Sequence, residues 1–242
     1  MTKYRVDIKG ILFDKDGTLI YLDDLWVEPT IQFMENFISQ HTMMTEEQKA
    51  AFYVEIGIEN HRLVANGIVA AGTIREQAEL LAKHCHLPIN QIETEMTQYI
   101  TDYLSHYPEK LIPVTDLAAL LSNLKEQGYE LGVVTADSRQ PTIMALEILG
   151  IANYFSFVVA ADDDYALKPN PEALHAFAQL IQAEPEEILY IGDSIKDMQF
   201  GKHGYGAIGV LTGNTSKETL LAHTDYVIES IEYLPSLLKS IK

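Results

Sequence analysis

Residues 11–20 read ILFDKDGTLI, an apolar run that ends in two carboxylates two residues apart. Short runs rich in Ile and Val with turn residues after them read as buried strands. In an extended segment residues i and i+2 share a side, so Asp14 and Asp16 are expected to converge while Lys15 faces away. Crowded carboxylates repel, and both ionise only where a cation or a shared proton intervenes. Gly17 permits a sharp turn after them, and the Thr18 hydroxyl is expected to order that turn. The stretch is read as a strand that delivers paired acids to a ligand.

The same pattern recurs along the chain. Apolar runs at 131–134, 157–160 and 188–191 end at Thr135, before Asp162 and at Gly192, and "AIGVLTG" and "DYVIES" follow toward the C-terminus. Helical stretches separate them. "VTDLAALLSNLKEQG" has helical apolar spacing with Gly128 as its C-terminal cap. "NPEALHAFAQLIQA" opens with Asn170 as N-cap and Pro171 at the first helical position. From about residue 111 strand and helix alternate, which predicts an α/β fold with a doubly wound, Rossmann-like parallel sheet.

Residues 21–108 are of another kind. They show no convincing strand, two capping-box patterns (Thr45 to Gln48 and Thr73 to Glu76) and a long helical stretch that stops near Pro108. The expected organisation is a core of residues 1–20 and 109–242 with an all-helical cap, 21–108, inserted after the first strand. Neither junction is rich in Gly or Ser, so the cap is expected to act as a lid hinged at two strands.

Composition excludes several functions. The net charge of −18 repels nucleic acid and anionic membranes, and also a phosphorylated substrate unless the site carries its own positive charge. Cys85 is the single cysteine, so no internal disulfide forms. "MTKYRVDIKG" lacks the apolar centre of a signal peptide, and no apolar run reaches membrane-spanning length. A soluble cytoplasmic protein, monomer or homodimer, is the expectation.

In an open α/β sheet ligands bind beyond the carboxyl ends of the strands, so Asp14, Asp16, Thr135 and Asp193 should share one site. Any one of them alone reads as a helix cap. "LKPNP" sets Lys168 before the next helix, and "YIGDSIKDM" adds Asp197 four residues after Asp193. Converging carboxylates without His or Cys favour magnesium, which commonly bridges to a phosphate. Thr135 and Lys168 can then donate to phosphate oxygens, leaving a carboxylate free to attack as a nucleophile.

These four segments, in order, resemble the motifs of the haloacid dehalogenase superfamily, in its branch of phosphatases with a helical cap: "DKDGT", Thr135 in "VVTADS", Lys168 in "LKP" and "GDSIKD". The resemblance, which with the cap covers essentially the whole chain, implies roles. Asp14 is the expected nucleophile, forming an aspartyl-phosphate, and Asp16 the general acid and base. Asp14, the main-chain carbonyl of Asp16, and Asp193 are expected to hold Mg2+, with Asp197 orienting its shell. Thr135, Ala136 and Lys168 are the expected contacts of the phosphoryl group, and Arg62, beside His61 in the cap, is a candidate substrate contact set against a solvated helix face. The implied activity is hydrolysis of a small phosphorylated metabolite, phosphoglycolate phosphatase-like. A β-phosphoglucomutase-like phosphotransferase and a non-catalytic phosphate-binding protein are the alternatives.

The chain departs from the family after Thr135, where Ala136-Asp137 stand, and after the fourth motif, where Lys202 and His203 stand. Asp137 is read as a helix N-cap rather than a substrate contact, and Lys202 and His203 as surface residues. The G-x-G-x-x-G of Gly204 to Gly209 precedes a strand instead of following one, so it is no dinucleotide fingerprint. "KHCHL" places its side chains in different directions on a helix and is no metal cluster, with Cys85 expected to be buried. Trp26, Phe33 and Phe37 are read as core.

Overall fold

The computed structural model describes residues 7–241; the readings that involve residues 1–6 and 242 lie outside the described residues. Strand β1 (Gly10–Phe13) leads into a helical segment of α1 (Asp23–His41), α2 (Glu46–Ile56), a hairpin of β2 (Ile58–Glu59) and β3 (Arg62–Leu63), α3 (Ile68–Ala71), α4 (Ile74–Ala82) and α5 (Ile89–His106). The chain then alternates: α6 (Leu117–Glu126), β4 (Glu130–Val134), α7 (Arg139–Ile148), β5 (Phe157–Val159), α8 (Glu172–Leu180) and β6 (Ile188–Gly192). It ends with α9 (Ile195–Gly201), β7 (Gly206–Val210), α10 (Lys217–Leu221), β8 (Tyr226–Ile228) and α11 (Leu234–Ile241).

Six strands form one sheet in the order β5-β4-β1-β6-β7-β8, and every pairing is parallel. Because successive side chains point to opposite faces, β1 divides its residues between two cores. Ile11 and Phe13 pack with residues of α6, α7 and α11, while Leu12 packs with α8 and with Tyr190 and Phe200. Both faces are covered, which accounts for the unbroken apolar runs.

The order also places the site. β1 lies between β4 and β6 with Phe13 opposite Val133 and Ile191, so the residues after these three strands emerge side by side. The Asp14 amide donates to the Ile191 carbonyl at 2.8 Å, extending that register one residue past the strand.

One apolar cluster is drawn mainly from α1, α2, α4 and α5, with Phe33, Phe37, Ile92 and Ile100 among its members, and it takes in Ile20, Leu111 and Ala145 from outside the cap. Both capping boxes form as the sequence predicts. The two chain crossings lie against each other: Ile20 bridges Pro113, and the Tyr21 amide donates to Ile112. The structure adds a two-stranded hairpin to this helical cap. Asn60 and His61 take positive φ at its tip, a local turn that the apolar spacing did not signal.

Three local readings are corrected. Thr18 is fully buried and its hydroxyl meets no described partner; main-chain bonds from Gly17 and Leu19, and the Thr212 hydroxyl donating to the Gly17 carbonyl, order the turn instead. "KHCHL" lies beyond the end of α4, with His84 and His86 exposed and Cys85 half-buried. The α8 helix starts at Glu172, although the Asn170 side chain still accepts from the Glu172 amide.

Candidate active site

Asp14, Asp193 and Asp197, all buried, bring carboxylate oxygens within 4.8 Å of one another, as the strand ends predict. Lys168 reaches into this group from the loop before α8. Its ammonium donates to Asp14 Oδ1 (2.9 Å), Asp197 Oδ1 (2.7 Å) and the Tyr190 hydroxyl (2.9 Å). Three donors meet three acceptors, so the lysine is held rigidly; its own burial opposes the charge, but Asp14 and Asp197 outweigh it and raise its pKa. Tyr190 passes the chain of bonds on to the Val134 carbonyl.

Asp197 has a second duty. Its Oδ2 accepts from the Ser194 amide and hydroxyl in the capping box that opens α9. It is thus fixed from both sides. Asp193 makes no hydrogen bond to a described residue, though only 5% of its surface is exposed. Burial first, then the neighbouring Asp197 and Asp14 charges, push its pKa well above the usual carboxylate range. Burial likewise lifts Asp14 to about 7, against the lowering effect of Lys168. A buried, unbonded carboxylate among other carboxylates and an oxygen-only donor set fit a divalent cation.

Two glycines allow the close packing around Asp193. Gly17 has φ +77°, and a Cβ there would lie 2.6 Å from the Asp193 Cγ; a Cβ on Gly213 would lie 1.8 Å from Asp193 Oδ2. Gly213 follows β7 and was not singled out in the sequence, since nothing local distinguishes its turn from others.

Asp16 turns elsewhere. Its carboxylate accepts from Lys15 Nζ at 2.7 Å and from Trp26 Nε1 at 2.8 Å. Lys15 does not face away to solvent: it is 1% exposed and pairs also with Asp137 at 3.1 Å. The reason is that β1 ends at Phe13, so strand alternation no longer governs the turn. Burial opposes the Lys15 charge, but Asp16 and Asp137 more than compensate and raise its pKa. Asp137 is accordingly not the N-cap of α7. Ser138 occupies that position, Asp162 accepts from the Arg139 amide, and Asp137 is the buried counter-ion of Lys15. Its own pKa is lifted to about 6, burial outweighing the lysine.

A cavity of about 160 Å³ opens over these groups. Thr135, Ala136 and Lys168 line it, as do Asp14, Asp16 and Asp193. Thr135 Oγ1 accepts from the Asp137 amide. From the cap come Trp26, Thr30, Thr73, Glu76 and Gln77, none of them anticipated. Arg62 and His61 do not line it; both are exposed, at the β2–β3 hairpin. Lys202 and His203 are exposed, as read from the sequence. Trp26 does belong to the core, yet its indole N–H also serves Asp16.

Comparison with known proteins points to one family. A family model described as haloacid dehalogenase-like hydrolase matches residues 8–204. The chain is 27% identical over 236 residues to "Pyrophosphatase PpaX" of Bacillus mycoides, covering 97% of this chain and 98% of the relative. A similar match links it to the protein of that name from Anoxybacillus flavithermus, with 27% identity over 96% of this chain and 98% of the relative. Among solved structures, CbbY from Rhodobacter sphaeroides in complex with phosphate superimposes with a TM-score of 0.69 at 20% identity, over 94% of this chain and 96% of that one. A HAD phosphatase from Thermococcus onnurineus gives a TM-score of 0.64 at 23% identity, over 96% and 98%. These two likenesses speak to the fold.

Proposed function

This chain belongs to the haloacid dehalogenase-like hydrolase family and is a phosphatase, and from that premise we propose a magnesium-dependent phosphomonoester hydrolase that acts on a small organic phosphate. The observation that carries the reading is Asp14: a buried carboxylate with one oxygen bonded to Lys168, set beside the unbonded Asp193 at the floor of the cavity. The core is assigned to residues 1–20 and 109–242 and the cap to 21–108; one apolar cluster is drawn mainly from the cap, with Ile20, Leu111 and Ala145 joining it across the junction.

Asp14, the main-chain carbonyl of Asp16, and Asp193 would hold the cation, with Asp197 keeping Lys168 and the start of α9 in place. When bound there, Mg2+ would offset the carboxylate charge and draw in phosphate oxygens. Asp14 Oδ attacks phosphorus, the ester P–O bond breaks, and the leaving oxygen takes a proton from Asp16. Water then attacks the aspartyl-phosphate and gives its proton to Asp16 as the P–Oδ bond breaks, releasing phosphate. Thr135, Ala136 and Lys168 hold the phosphoryl group meanwhile. The cavity is smaller than the roughly 300–1,000 Å³ usual for drug-sized ligands, which supports a small metabolite. Phosphoglycolate, from the family resemblance, and pyrophosphate, from the activity named for the Bacillus relatives, both belong in the substrate panel. A cytoplasmic location agrees with this substrate class, and no described helix is long and apolar enough to cross a membrane.

The test is hydrolysis of p-nitrophenyl phosphate and a panel of phosphorylated metabolites with magnesium and with excess chelator, using wild type and Asp14→Asn. Magnesium-dependent turnover should fall by several orders of magnitude in the variant, because a carboxamide forms no acyl-phosphate. Substantial activity in Asp14→Asn, or full activity in chelator, refutes the assignment.

A further inference from the structure

The phosphatase reading leaves the released alcohol unspecified, and the cap side of the cavity bears on its chemistry. Asp16, as the group that protonates the leaving oxygen, marks where that alcohol lies. Trp26 on α1 donates to Asp16. Thr30, four residues on, presents the next turn of the same helix face, about 6 Å farther along the axis. Gln77 lines the same cavity from α4.

Thr30 and Gln77 are 4% and 7% exposed, and neither side chain hydrogen-bonds to a described residue. Buried amides and hydroxyls nearly always find partners. Neither the Gln77 carboxamide nor the Thr30 hydroxyl is among the polar atoms sealed from water without a partner, so both are open to solvent on a cavity lining and can meet a ligand. Apolar side chains, among them Leu22, Val69, Ile74 and Ile100, share the lining with them.

The charges on the lining narrow the ligand further. Besides Lys168, which the phosphatase reading assigns to the transferring phosphoryl group, the lining holds one cation, Lys196, among the described residues. Lys196 donates to the Ala71 carbonyl at 3.0 Å and stands 4.0 Å from Glu76. Glu76 is itself fixed by the Thr73 amide. A second anionic group on the leaving side would lie near the Glu76 carboxylate, and the lining's other cation, Lys196, is already shared between that carboxylate and the Ala71 carbonyl.

We propose that Gln77 and Thr30 form a leaving-group subsite that selects neutral, hydroxyl-bearing alcohols, as in small polyol or sugar monophosphates, over leaving groups with a second anionic charge. The proposal rests on the phosphatase reading and names the substrate class for that site. Amide and hydroxyl each donate and accept, and so does every hydroxyl of a polyol. A phosphate or carboxylate only accepts.

The experiment compares kcat/KM, with magnesium, for glycerol 3-phosphate, a hexose phosphate, 2-phosphoglycolate, pyrophosphate and p-nitrophenyl phosphate in wild type, Gln77→Leu and Thr30→Val. Wild type should favour a polyol or sugar phosphate by about tenfold or more over 2-phosphoglycolate and pyrophosphate, the two competitors with a second anionic group. Gln77→Leu should lower kcat/KM for that substrate about tenfold to a hundredfold, and the loss with p-nitrophenyl phosphate should be several-fold smaller. Thr30→Val, nearly isosteric, carries the same contrast if Gln77→Leu folds poorly. Calorimetric Kd values on inactive Asp14→Asn enzyme should weaken in parallel when Gln77→Leu is added. Preference for pyrophosphate or 2-phosphoglycolate, or equal losses on every substrate, overturns the subsite. No turnover of p-nitrophenyl phosphate by wild type would defeat the phosphatase reading itself, and the subsite with it.

Discussion

At the scale of single residues, the unusual feature is the lysine between the two motif aspartates. Lys15 sits out of water with Asp16 and Asp137 on either side. Such a triad is held by mutual compensation: each ion justifies the burial of the others, and removing one leaves an uncompensated charge. Lys15→Met should therefore cost about 3–5 kcal/mol of stability. Adding Asp137→Asn should recover part of that loss, because the stranded carboxylate is then gone. Urea midpoints of the single and double variants measure the coupling, and strictly additive losses would remove the triad as a unit. The sequence announced all three residues, but the period-two argument sent Lys15 to the wrong side, since it presumed a strand where the chain had already turned.

At the scale of elements, helix α1 links the cap to the chemistry. Trp26 gives Asp16 its second hydrogen bond, so the cap helix takes part in orienting the proposed acid. Other bonds cross between cap and core: Asn66 accepts from the Ile195 amide at the start of α9, and Asn214 donates to the Leu63 carbonyl. Trp26→Phe keeps an aromatic ring in the packing and removes the donor. It should lower kcat/KM for alkyl phosphates by about tenfold, the worth of one hydrogen bond to a charged group. Aryl phosphates, whose leaving group needs no proton, should lose much less. A uniform loss on both classes would make Trp26 a packing residue only.

At the scale of the whole molecule, a chain of net charge −18 takes in an anionic substrate. The site answers locally with Lys168 and the proposed cation, while the surface repels at longer range. Raising ionic strength within about 0.02–0.3 M screens that repulsion, since the Debye length falls to below about 10 Å. kcat/KM for a dianionic substrate should rise severalfold over this interval with kcat little changed. A falling kcat/KM would mean that the local positive field dominates the encounter.

What the sequence determined by itself was the sheet, its helical crossovers, the inserted cap and the motif residues Asp14, Asp16, Thr135, Lys168, Asp193 and Asp197. Those follow from local rules: apolar runs, caps, and turn residues at strand ends, with the parallel order bringing the ends together. Tertiary structure alone decided the partners of Lys15, the part of Trp26 in holding Asp16, the removal of Arg62 to an exposed hairpin, and the arrival of Thr30 and Gln77 at the cavity. Each of these depends on which face of a cap helix meets the core. Apolar spacing shows that a helix has a buried face, but Thr30 and Gln77 read as ordinary polar residues until the packing of α1 and α4 turns them inward over the strand ends.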